Sequence, residues 1–290
     1  MRLDIVLPNE HTFMLEAMNA GPYYEAMGWQ GIWLSDHLLG IEEDHIHTKQ
    51  WLDILIAMGH LAAQTKTIRI GSGVVVLPYR NPVLTARMVA SLDQLSGGRI
   101  DFGVGVGWLK RESQAVGVGD SFEVRGAYSN EQLDVMLACW KGGQVEFHGK
   151  FFDFPPVVFE PTCVQNGGRV PLWIGTLTTK GAPIRRVAKY ADYWHPSDVD
   201  TDGKILTPER FKEVGDRIDE LAGRKIPRTI RLNVYHDPQE RVDMLHAYAE
   251  AGCVQAACSM FNYRDLPKTF AEFDRLITRF WKAAESLRKA

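Results

Sequence analysis

Asp36 and His37 close the apolar run Ile32-Trp33-Leu34-Ser35, a position from which a strand would deliver both side chains to a pocket. A carboxylate and an imidazole presented together can hold or move a proton near neutral pH. Three further runs end in glycine: Gly71-Ser72-Gly73-Val74, Gly103-Val104-Gly105-Val106-Gly107-Trp108 and Gly175-Thr176-Leu177-Thr178-Thr179-Lys180. Glycine at a strand end lets a ligand or another backbone approach closely. The third run leads into a helical pattern over 181–190, and two readings of it stand. Backbone N–H groups, hydroxyls and the helix dipole can face a phosphate, or Thr178 or Thr179 simply caps the helix. His195, after Tyr193-Trp194, is a second imidazole at a strand end, and Glu10, after Leu7-Pro8-Asn9, a further carboxylate.

Strands must carry these residues, and the chain supplies eight candidates, at 3–8, 32–36, 68–76, 100–106, 171–176, 191–195, 229–235 and 254–260. Their near-continuous apolarity suits strands buried on both faces of a parallel sheet. Amphipathic stretches separate them, at about 12–28, 51–65, 81–95, 121–141, 181–190, 207–222, 238–251 and 266–288. Asn81-Pro82, Thr207-Pro208-Glu209 and Asp237-Pro238 are helix-start signals. Eight strands, each followed by a helix, predict an α/β fold, a closed (β/α)₈ TIM barrel formed by residues 1–290 as one domain. Catalytic groups then belong at the C-terminal ends of the strands, where the motifs lie. The segment 142–170 interrupts the rhythm before the fifth strand. Its aromatic residues argue for an ordered insertion that folds over the barrel or packs against a second subunit.

Composition narrows the chemistry. With 33 basic and 36 acidic residues, the net charge of −3 offers no general grip on nucleic acid or an anionic membrane. No apolar run approaches the ~20 residues of a membrane span, and a strand begins almost at once, so a cytoplasmic protein without a signal peptide is expected. Cys139, Cys163, Cys253 and Cys258 form no CxxC pair and read as free, buried thiols. Asp44-His45-Ile46-His47 is read as a solvated loop, so no metal site is expected. The G-x-G-x-G spacing from Gly103 to Gly107 does not fit a Rossmann fingerprint. GxSxG, HExxH, P-loop and paired-carboxylate signatures are missing. A mouth rich in Gly, Trp and Tyr without an acid–base pair predicts that a bound cofactor carries the chemistry.

The motifs, in this order, resemble the luciferase-like flavin and deazaflavin oxidoreductase superfamily. The resemblance rests on 28–37, on 70–82, and on Leu92-Asp93-Gln94-Leu95-Ser96-Gly97-Gly98-Arg99 running into Gly103–Trp108. Phe151–Phe154, Pro171–Gly175 and Ala191–Pro196 extend it to about residue 200. It implies an isoalloxazine-type ring in the barrel mouth, with a cis non-prolyl bulge at Gly73-Val74 against it. It implies His37 beside the reacting edge, Ser72, Gly105 and Gly107 along the ring, and Gly175, Thr176 and Thr178 near the cofactor phosphate. Ser-Asp-His at 35–37 resembles the branch using the deazaflavin coenzyme F420, whereas the FMN monooxygenases more often show Glu-His-His there. The expected activity is hydride transfer between F420 and a small organic substrate. An FMN-dependent monooxygenase and a non-catalytic flavin-binding relative are the alternatives. Some deazaflavin dehydrogenases carry a glutamate where this chain has Trp108, so Trp108 is expected to wall the substrate, and proton transfer falls to His37, His195, Glu10 or solvent. The resemblance also implies a homodimer.

Overall fold

The computed structural model describes residues 1–10, 12–39, 50–200, 202–233, 237–261 and 267–289. All eight expected strands form: β1 (Arg2–Val6), β2 (Gly31–Leu34), β3 (Arg69–Ser72) with its continuation β4 (Val75–Val76), and β5 (Ile100–Gly105). After the hairpin β6 (Gly143–His148) and β7 (Asp153–Phe159) come β8 (Leu172–Thr176), β9 (Tyr193–Pro196), β10 (Arg228–Leu232) and β11 (Cys253–Ser259). They pair in parallel around a ring that β3 and β5 close.

Helices cover the ring. They are α1 (Met14–Asn19), α2 (Gly21–Met27), α3 (Ile54–Gln64), α4 (Pro82–Ser96), α5 (Lys110–Ala115) and α6 (Arg125–Cys139). Then follow α7 (Ala182–Tyr190), α8 (Pro208–Ala222), α9 (Pro238–Glu250), α10 (Phe270–Ala283) and α11 (Glu285–Lys289). The start signals act as caps: Asn81 accepts from the N–H groups of Val83 and Leu84, Asp237 from those of Gln239 and Glu240, and Thr207 from that of Arg210. Three expectations change in detail. The stretch 12–28 is two helices meeting at Ala20, 68–76 is two strands broken at 73–74, and the short helix α5 was not anticipated. Asp44–His47, His236 and the end of the expected seventh strand lie outside the described residues.

The insertion lies along the barrel's flank. Arg87 of α4 sits over the Phe159 ring at 4.1 Å. Glu131 of α6 accepts from the backbone N–H groups of Lys150, Phe151 and Phe152. All four cysteines are free and buried. Among the described residues no helix is long and apolar enough to cross a membrane.

The barrel interior is polar and aromatic rather than aliphatic. Near the strand starts, Arg2 bridges Asp4 and Asp101, and Arg69 also reaches Asp101. Asp4 further accepts from Trp33 Nε1 (2.7 Å) and Gln255 Nε2 (2.8 Å). Above it Trp33 stacks on His195 at 4.6 Å and meets Trp173 edge-on at 4.9 Å. Large side chains in the lumen leave no room for others opposite them. A Cβ on Gly71 would fall 2.5 Å from the Trp33 ring. At the upper end the peptide Gly73-Val74 is cis, and the Val74 side chain lies between β5 and β8. Cβ atoms on Gly105 and Gly175 would come within 2.5 and 2.6 Å of its methyl groups, and one on Gly103 would strike the Ser72 carbonyl.

Val74 therefore sets the identity of its neighbours. Gly105→Ala should cost about 1–3 kcal/mol by overpacking, measured by denaturant unfolding. In a Val74→Ala background, where the colliding methyls are gone, most of that cost should vanish. An equal cost in both backgrounds would refute the contact as the reason for glycine.

Candidate active site

The strand ends bring His37, Glu10, Trp108, His195 and Val74 to one mouth. Asn9 makes the first arrangement possible: its side chain bonds the backbone of Ser35 on one side and Leu52 on the other. This places Glu10 against Trp51, with which it forms an antiparallel bridge. The Trp51 ring in turn lies 4.8 Å from the His37 ring. Trp108, about half exposed, meets His37 edge-on at 6.2 Å, a rim position that suits a pocket wall.

Glu10 is buried, and neither carboxylate oxygen finds a hydrogen-bond partner among the described residues. Burial raises its pKa to about 7, against the opposing pull of Arg231, of His37 and of the nearby Glu10 and Asn9 backbone N–H groups, which lie outside good hydrogen-bond geometry. A buried carboxyl without a partner is costly to maintain and is a frequent mark of a functional group.

His195 is held differently. Thr229 Oγ1 donates to the Trp194 carbonyl at 2.8 Å, so it must accept from His195 Nδ1–H, also at 2.8 Å. The lone pair at Nε2 then has no partner among the described residues. Burial, with Arg231 and Arg2 nearby, lowers its pKa to about 3, so the ring stays neutral in the working range. Nε2 and the Arg231 guanidinium lie 3.7 and 3.6 Å from where a side chain on Gly73 would begin.

Arg231 was not singled out from the sequence. Its guanidinium donates to the Gly73 carbonyl, to Ser35 Oγ (3.1 Å) and to Asn233 Oδ1 (3.0 Å), tying β10 to the cis peptide. The signal was present: in β10 the polar residues Thr229 and Arg231 alternate with Ile230 and Leu232, and one face of a barrel strand looks inward. Glu112 was missed as well. It lies fully buried in α5, and its carboxylate faces His37 Nδ1 at 3.2 Å.

Other expected contacts occupy structural positions. Asp36 forms a bidentate pair with Arg80 and accepts from the Val76 N–H, so its carboxylate clamps β4 to the loop after β2. The Ser72 hydroxyl donates to the Gly103 carbonyl and accepts from its N–H, with no exposed surface. The room opened by Gly105 and Gly175 is filled by Val74, which is itself half-buried and faces the mouth. Gly107 has a left-handed φ of +75° and turns the chain toward Trp108.

The turn after β8 opens into a cavity of about 180 Å³ lined by Thr176, Thr178, Thr179, Lys204 and Arg210, among others. Thr176 accepts from Trp194 Nε1 and is buried. Helix α7 begins after Gly181 without any side-chain cap, so capping by Thr178 or Thr179 does not occur. Hydroxyls, two cationic side chains and the carboxylate of Asp200 therefore share this cavity. No group of three or more His, Cys, Asp or Glu among the described residues could hold a metal ion.

Residues 1–285 match the model of the luciferase-like monooxygenase family. The chain belongs to this family. Membership makes the luciferase-like barrel an oxidoreductase acting on small molecules. An uncharacterised protein of Mycobacterium tuberculosis is 32% identical over 212 residues, covering 72% of this chain and 70% of the relative. An F420-dependent secondary alcohol dehydrogenase, solved with an F420–acetone adduct, superposes with a TM-score of 0.79 at 16% identity over 97% of each chain. The oxygenating constituent of 3,6-diketocamphane monooxygenase from Pseudomonas putida, solved with FMN, gives 0.63 at 16% identity over 84% of this chain and 70% of its own. At such identities the two structures bear on the fold alone, and that fold is the closed eight-stranded parallel barrel.

Because the folded pKa of Glu10 lies above its ordinary value of 4.5, the unfolded chain releases this proton first as pH rises. Stability is therefore lost between about pH 4.5 and 7 and stays lost above. Glu10→Gln should match the wild type near pH 4 and exceed it by up to about 3 kcal/mol above pH 7, read by unfolding at both pH values. A difference that does not change with pH would contradict the buried carboxyl.

Proposed function

We propose that this luciferase-like protein transfers a hydride between the deazaflavin coenzyme F420 and a small organic alcohol or carbonyl compound. The observation that carries the reading is Glu10, a buried carboxyl poised near pH 7 beside His37. Reducing a carbonyl by hydride leaves an alkoxide that needs a proton, and oxidising an alcohol requires one to be removed. A group whose pKa lies near the operating pH can do either. The choice of F420 over FMN is supported by Ser35-Asp36-His37, which resembles the F420-using branch.

The residues fit a tricyclic ring with a phosphate-bearing tail. Val74 offers an apolar, half-buried wall, backed by Gly105 and Gly175 so that it cannot retreat. Thr178, Thr179, Lys204 and Arg210 would hold the phosphate beside the start of α7. When bound, F420 supplies or accepts the hydride and reacts little with oxygen. The chain's own groups do the rest: Glu10 holds the mobile proton, with His37 beside it. Trp51 and Trp108 enclose His37 and restrict water, and Trp108 closes the rim where the substrate sits. Neutral His195 and cationic Arg231 fix the underside of the Gly73 peptide. The substrate pocket is thus bounded by apolar and aromatic surface with one proton-carrying edge. Assembly as a homodimer is part of the same proposal.

A cofactor titration tests the reading. F420 should bind at least tenfold more tightly than FMN, a difference of about 1.4 kcal/mol, and the reduced complex should consume little oxygen. Binding of FMN alone would replace the proposal with a flavin-dependent monooxygenase. Tight binding without turnover on a panel of alcohols and ketones, unaltered by His37→Ala, would favour a non-catalytic flavin-binding protein.

A further inference from the structure

Glu112 lies against the Nδ1 side of the His37 ring. Both oxygens of the buried carboxylate are engaged. Oε1 accepts from the backbone N–H groups of Leu38 and Leu39, and Oε2 from Tyr79 Oη at 2.9 Å and from His37 Nδ1 at 3.2 Å. Burial by itself pushes this carboxyl up, but the contacts with His37, Leu38 and Tyr79 outweigh it and hold the group below the ordinary glutamate range. Glu112 is therefore an ionised acceptor with four donors converging on it, three from the loop after β2 and one from the turn after β4.

Such an acceptor decides where the proton on His37 sits. A carboxylate offers no proton, and the hydroxyl proton of Tyr79 already points at Oε2. His37 can complete the set only by donating from Nδ1. Its lone pair is then at Nε2, on the ring edge away from Glu112. Trp51 against one side and Trp108 across the edge limit the alternative in which the ring turns over.

We propose that Glu112 is a positioning residue, which fixes the Nδ1–H tautomer of His37 and so makes Nε2 a proton acceptor for ligands in the mouth. A positive charge formed on the ring by proton uptake at Nε2 would face the carboxylate directly, as in other histidines oriented by an acid behind them. The role rests on reading His37 as a working group of the mouth. It departs from Glu10, which exchanges a proton at the substrate edge, because Glu112 never meets the ligand.

A simple loop clip would make the same bonds to Leu38 and Leu39 but would be indifferent to the tautomer, and this separates the two roles. Glu112→Gln keeps size and an accepting oxygen, while its amide N–H₂ turned to His37 can only donate. Nitrogen-15 spectra of histidine-labelled protein without cofactor should show His37 protonated at Nδ1 in the wild type. In Glu112→Gln the protonated signal should move to Nε2, while Tyr79→Phe, which keeps the carboxylate, should leave it at Nδ1. A wild-type ring protonated at Nε2, or a Glu112→Gln ring still protonated at Nδ1, overturns the proposal. If Glu112→Gln fails to fold, a wild-type ring protonated at Nε2, or a Tyr79→Phe ring that loses the Nδ1 proton, still overturns the proposal. Because no cofactor is present, a failure to bind F420 would defeat the functional reading and leave this one standing, and a wrong tautomer would do the reverse.

Discussion

The packing of Val74 between Gly105 and Gly175 is the constraint from which the mouth of this barrel is built. Interiors are close-packed, so a side chain pushed between two strands must find vacancies there. Two glycines supply them, a third on β5 admits the Ser72 carbonyl, and a fourth on β3 admits the Trp33 ring. The wall facing the mouth is consequently a single valine with a rigid backing. Arg231 holds the same bulge from below through the Gly73 carbonyl. A flat ligand resting on Val74 would meet a surface whose position is set by four strands at once.

Around that wall the polar groups fall into two kinds. Asp36 and Ser72 have their hydrogen-bonding capacity taken up by Arg80 and Val76 and by Gly103, and they hold strands and loops in register. Glu10 and His195 Nε2 are buried with capacity left over among the described residues. Unsatisfied groups of this kind destabilise the free protein and are compensated when a ligand bonds to them. Their opposite shifts follow from one cause, since burial disfavours whichever form carries charge: the carboxyl rises to about 7 and the imidazole falls to about 3. Of these two groups, the carboxyl can exchange a proton near neutrality and the imidazole stays neutral.

Much of this was legible in the sequence, for reasons that differ from residue to residue. The eight strands were readable because parallel strands buried on both faces are apolar throughout, and the helix starts because Asn81, Thr207 and Asp237 are caps followed directly by proline. The glycine runs marked strand ends, but not the part that Gly105 and Gly175 play in the packing. Sequence shows that a side chain is missing and not what fills the gap, which here is Val74 from another strand. Glu112 was invisible because nothing local separates it from a solvent-exposed helical glutamate such as Glu123, and its partner His37 is 75 residues away. Asp36 was expected as a cofactor contact beside His37, and in the loop after β2 these adjacent side chains take different partners. One faces Arg80 and the other Glu112.

The claim at the centre of this account is that Val74 is the wall for a bound ring and that the turn after β8 receives its phosphate. A crystal structure of the F420 complex tests it most directly. The account predicts the ring in van der Waals contact with the Val74 methyl groups, with the phosphate bonded by the 175–180 turn or Arg210. A ring seated away from Val74, with the phosphate outside that turn, would contradict it.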